Sequence, residues 1–134
     1  MAFAVLHPEL VDGVASMNGT ANFLEYENFQ DAIRASFGGS KTDVPLEYKK
    51  RSAEFWPEKL TMPVGLAVSG RDISVPPQSV LRLADALKAR RSDVLLIYRE
   101  TMGHSTQYSD AKAILDFVLK TARQKSATDG FPKS

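Results

Sequence analysis

Two side chains have the types needed for general acid–base chemistry and fall at the ends of apolar runs. They are Asp72, closing Ser69-Gly70-Arg71-Asp72, and His104, in Gly103-His104-Ser105. An imidazole takes up and returns a proton near neutrality, and it needs a carboxylate to hold its tautomer and stabilise its charged form. Each residue also has a plainer use. A histidine in a loop is commonly a surface residue, and an aspartate after a strand commonly caps a helix or closes a turn. If the two meet, they form the acid and base of a catalytic site. Three serines fall near the same positions, Ser16, Ser69 and Ser105, and none has the glycine spacing of a strained nucleophile elbow. Glu100 and Asp110 are nearer His104 in sequence than Asp72 is. His7, before Pro8 on a turn, is given no role.

Whether the pair converges depends on the elements that carry it. Val64 to Val68 is a short apolar run after Pro63, read as a strand with Asp72 at its tip. Pro76 and Pro77 suit the first turn of a helix, and Val80, Leu83, Ala84 and Leu87 recur at i, i+3, i+4 and i+7 along it. Val94 to Tyr98 is a second apolar run and leads to His104. Strand, helix and strand with short links make a crossover unit with parallel strands, so both residues leave from one rim.

Upstream, Met1 to Leu6 reads as helix stopped by Pro8, and about Gly13 to Met17 as a strand ending at Asn18-Gly19. Residues 21–56 read as a helical, cap-like insertion. In it Tyr26, Phe29, Ile33 and Phe37 follow helical spacing, Gly38-Gly39 stops the run, and Asp43 caps a second helix through to Phe55. Aromatic residues at such spacing serve packing more often than they line a pocket, and both uses stay open here. Ala111, Ile114, Leu115 and Val118 place a last helix over about Ser109 to Arg123. The expected organisation is one domain, 1–124, with a flexible tail, 125–134.

This constellation resembles the C-terminal part of the α/β-hydrolase family, the esterases, lipases and prolyl-oligopeptidase-like serine peptidases. There an acid follows the penultimate core strand, often as D-x-x-V-P, and a histidine follows the last strand, often as G-H-S. Asp72-Ile73-Ser74-Val75-Pro76 and Gly103-His104-Ser105 match both. Leu46 to Leu60 is similar to the segment before the acid-bearing strand, and His7 to Val14 to the stretch after the nucleophile helix. The resemblance implies an α/β fold, half of an α/β-hydrolase, with a short parallel sheet of about three strands flanked by helices. It implies catalytic roles for Asp72 and His104, a small-molecule carboxylic ester as substrate, and no cofactor. The chain departs from the family in lacking G-x-S-x-G and in opening where the elbow's helix would already be running. It also has one residue rather than two between Gly70 and Asp72.

Composition narrows the alternatives. At 134 residues and 43% hydrophobic, the chain has enough for one modest core. Seventeen Lys and Arg against sixteen Asp and Glu give a net charge of +1, and Lys49-Lys50-Arg51 and Arg90-Arg91 lack interleaved aromatics. Nucleic acid and membrane surfaces are therefore not expected partners. With no cysteine, two histidines and no H-E-x-x-H, a metal site is not expected either. A cytoplasmic location is the default expectation. The first strand lacks its family neighbour, and an open apolar edge tends to pair with another chain, so a homo-oligomer is expected. The functional expectation is an esterase-like hydrolase. A non-catalytic binding or oligomerisation module and an inactive fragment are the alternatives.

Overall fold

The computed structural model describes residues 1–91 and 93–129. Three parallel strands, β1 (Val14–Met17), β2 (Val64–Ser69) and β3 (Val94–Arg99), form one sheet in that order. The middle strand, VGLAVS, has no charged side chain and is buried at every residue. That is what a parallel strand covered on both faces requires.

Alternation along β2 divides its side chains between two helical layers. Val64, Leu66 and Val68 join Val80, Leu83, Ala84 and Leu87 of helix α4 (Gln78–Arg90) in one core. Ala4 and Val5 of helix α1 (Ala2–Leu6) close the same core. On the opposite face, Gly65 lies under helix α5 (Tyr108–Asp129). A Cβ there would stand 2.9 Å from Ile114 Cγ2 and 3.1 Å from Val118 Cγ2, so the missing side chain is what lets α5 settle on the sheet. The result is a three-layer α/β unit, with helices on both faces of a short parallel sheet.

Register then positions the site. Val64 pairs with Val94 and Ser69 with Arg99, so β2 and β3 end level with one another. The loops bearing Asp72 and His104 therefore start from the same height on the same rim.

Several expectations change. Pro77 is the N-cap of α4 rather than its first turn. In α5 only Ile114 and Val118 of the expected apolar stripe are fully buried, while Leu115 remains 45% exposed. The three-stranded sheet covers one edge of that stripe and leaves the other in water. The helix also runs beyond Arg123 to Asp129, so Lys125 to Asp129, expected in the tail, are helical. The rest of the expected tail, 130–134, lies outside the described residues.

In the insertion, helix α2 (Gln30–Phe37) is capped at its C-terminus by Gly38 in the left-handed region, φ 85°. Phe29 precedes α2 rather than belonging to it. Helix α3 (Pro45–Lys50) begins after Val44, with no cap from Asp43, and stops well short of Phe55. Its end has a local cause: Ser52 Oγ donates to Tyr48 O at 2.7 Å and accepts from Phe23 N at 2.8 Å. A serine so engaged offers the backbone an alternative to the next helical turn. Two short 3-10 turns, Ala53–Phe55 and Pro57–Lys59, come next instead. Phe23, Phe37 and Tyr48 stack edge to face, with Tyr48 fully buried, so these aromatics are packing. The insertion is fastened to α4 by Ala21 N donating to Ser79 Oγ at 3.0 Å, and by Arg82 pairing with both Glu25 and Glu54. No helix among the described residues is long and apolar enough to cross a membrane.

Candidate active site

Asp72 is buried, and its two carboxylate oxygens have separate partners. Oδ1 accepts from the backbone N–H groups of Ser74 (3.0 Å) and Val75 (2.8 Å), closing the turn that leads toward α4. Oδ2 lies 2.7 Å from His104 Nδ1. The turn-closing role and the acid-like position are therefore both filled, one by each oxygen. The first fixes the second, because a carboxylate held by two backbone donors cannot swing away from the imidazole.

A carboxylate oxygen at this distance accepts from Nδ1–H, and in a neutral imidazole so oriented the lone pair falls on Nε2. His104 is half-exposed, and among the described residues its sole side-chain polar partner is Asp72. The geometry is that of an oriented imidazole, open to a reacting group on one nitrogen.

The two loops are joined by main-chain atoms. Gly70 N donates to Arg99 O at 2.9 Å, and Arg71 N to Met102 O at 2.9 Å. Gly70 makes that approach possible, since a Cβ would collide with Glu100 O and stand 2.7 Å from Tyr98 Oη. Gly103, next to the histidine, has ordinary φ and open space where its Cβ would be. The glycine that the rim requires is thus the one before Asp72.

Beyond His104, Ser69 Oγ donates to Ser105 O at 3.2 Å. Ser69 is buried and committed to the loop, which makes it a structural serine. Neither Asp110 nor Glu100 competes with Asp72. Asp110, in the first turn of α5, takes a bidentate pair from Arg99 at the end of β3, with Nε to Oδ2 at 2.9 Å and Nη2 to Oδ1 at 2.6 Å. This ion pair closes the base of the histidine loop, and its only local signal is an acid at a helix start. His7 caps α1 and stacks on Phe3, away from the pair.

The hydrogen bond from Arg99 holds the Asp110 carboxyl below the ordinary aspartate range, against the opposing effect of burial. A depressed folded-state value means stability that is complete above the unfolded aspartate pKa and is lost as pH falls through the folded one. Urea denaturation of the wild type and Asp110→Asn should therefore differ at neutral pH, with the wild type more stable. The gap should close in acid below the folded value.

A parallel sheet with helices on both faces, carrying a buried carboxylate and an imidazole on successive strand ends, defines the α/β-hydrolase class, with a serine-hydrolase type of fold. The chain belongs to the prolyl oligopeptidase family, whose model matches residues 1–125. Among solved structures it is similar to a puromycin hydrolase, with a TM-score of 0.68 and 16% identity over 92% of this chain and 20% of that one. It is also similar to the Pyrococcus horikoshii acylaminoacyl peptidase (TM-score 0.66, 20% identity, 90% of this chain and 22% of that one). A monoacylglycerol lipase from Paleococcus ferrophilus matches with a TM-score of 0.61 and 16% identity, over 89% of this chain and 63% of that one. The chain spans about a fifth of the first two structures. No curated protein gives a significant match.

Proposed function

We propose that this chain serves the hydrolysis of carboxylic esters, with His104 as general base and Asp72 as its orienting acid. The observation that carries this is the 2.7 Å contact between His104 Nδ1 and an Asp72 oxygen whose partner oxygen is locked by two backbone donors. Such an arrangement exists to hold a tautomer, which a surface histidine does not need. Esters are favoured over peptide bonds because an alcohol leaves with less help from an acid than an amine does, which suits a half-exposed imidazole. The lipase among the similar structures supports the ester reading, and the peptidase marks the neighbouring substrate class.

The experiment is hydrolysis of a chromogenic short-chain ester by the purified chain, beside His104→Ala and Asp72→Asn. A rate above buffer that disappears in both folded variants supports the proposal. A wild-type rate at the buffer level overturns it and favours a second reading, a binding or assembly module. The structural commitment of Ser69 speaks for that reading.

The proposed assembly is a homo-oligomer through β1. Among the described residues β1 pairs with β2 alone, so its other edge offers unpaired backbone groups, and Phe3 and Leu10 stand exposed on the segment leading to it. Light scattering after size exclusion at micromolar concentration should give a multiple of the chain mass. A folded monomer would remove this part of the proposal.

A further inference from the structure

The loop that carries His104 is tethered from all three strands, and the tether from β1 is a single side chain. Asn18 follows β1 directly and is 8% exposed. Its backbone N–H donates to Ala67 O at 2.8 Å, continuing the ladder to β2. Its Nδ2 donates to Thr106 Oγ1 at 2.8 Å, spanning 88 positions of sequence to a residue two beyond His104.

Asn18 is poorly explained as a backbone residue. It sits at φ 53°, in the left-handed region, where glycine is free of strain and asparagine is merely among the better-tolerated alternatives. Its Oδ1 is buried without a hydrogen-bond partner among the described residues, a further cost of keeping the amide. Glycine would relieve both penalties, so what the asparagine adds is the bond to Thr106.

We infer that Asn18 is a positioning residue for the imidazole: through Thr106 it holds the far side of the histidine loop so that His104 Nδ1 stays on Asp72 Oδ2. This rests on the reading of His104 and Asp72 as the acid–base pair. The near side of the loop is held independently, by Arg71 N on Met102 O, and Ser69 Oγ holds Ser105 O. Releasing Thr106 leaves the loop free to rock about those points. His104 has no other polar side-chain partner among the described residues to resist that motion.

The test is proton NMR of the His104 Nδ1–H, assigned in a His7→Gln background because the chain has two histidines. It is read in the wild type, Asn18→Gly, Thr106→Val and the double variant, with thermal melts alongside. The wild type should show a downfield, slowly exchanging Nδ1–H. In Asn18→Gly the fold should be retained, while exchange of that proton with water rises roughly five- to tenfold, the factor for losing one ordinary net hydrogen bond. Thr106→Val should do the same, and the double variant should add nothing. An unchanged resonance and exchange rate in a folded Asn18→Gly would overturn the role of Asn18 and leave the Asp72–His104 pair standing. No protected resonance in the wild type would instead overturn the pair, and the inference with it.

Discussion

Asp72→Asn is expected to lower ester hydrolysis by roughly 10⁴-fold without unfolding the chain, the magnitude seen when the acid of a serine-hydrolase triad becomes an amide. The asparagine oxygen can keep accepting from Ser74 and Val75, so the turn into α4 survives. Its amide nitrogen then faces His104 Nδ1, and two donors cannot share that 2.7 Å contact. The ring must place its lone pair at Nδ1 and its proton at Nε2, which is the wrong tautomer for a base. His104→Ala should lose at least as much rate, and because the imidazole is half-exposed its removal opens no cavity in the core. Initial rates with the chromogenic ester, taken beside far-UV circular dichroism of each variant, decide the matter. An unchanged rate in Asp72→Asn would take the pair out of the chemistry.

Gly70→Ala should produce the largest loss of stability from a single added methyl group at the rim. The new Cβ would collide with the Glu100 carbonyl oxygen and lie 3.0 Å from its carbon, and these are backbone atoms that cannot rotate aside as a side-chain tip can. Relief requires the two loops to part, which stretches the bonds from Gly70 N to Arg99 O and from Arg71 N to Met102 O. Overpacking of this kind costs about 1–3 kcal/mol. Gly103→Ala is the matched control. It meets open space at an ordinary φ, so it should be neutral or stabilising by a few tenths up to about 1 kcal/mol. Urea midpoints of the two variants should move in opposite directions or differ clearly in size; equal midpoints would mean that the loops are not in tight contact.

The unit from β2 through α4 to β3 is legible in the sequence because its pattern is local. An apolar run between turns marks a strand, and Val80, Leu83, Ala84 and Leu87 bury as their spacing implies. Parallel crossover geometry then brings Asp72 and His104 together across 32 positions without any further information. Asn18 is visible there only as the turn residue after a strand, since its bond to Thr106 depends on the completed sheet. Arg99 and Asp110 are close in sequence, but nothing local says that the loop between them folds back to pair them. The glycines mislead for a related reason. Spacing to His104 suggests Gly103, whereas the need for a bare Cα arises at Gly70 from a neighbour 30 residues away in the chain, at Glu100. Helix ends in the insertion depart from their spacing because Ser52 draws backbone partners from Tyr48 and from Phe23 at once.

Arg71 and Met102 are joined in the seam between the loops through an amide and a carbonyl of the main chain. That bond itself depends on neither side chain, with proline at 71 the exception because it has no N–H to give. These two positions are natural sites for diversifying the mouth of the site: a library randomised there would vary what approaches the imidazole while inheriting its alignment unchanged.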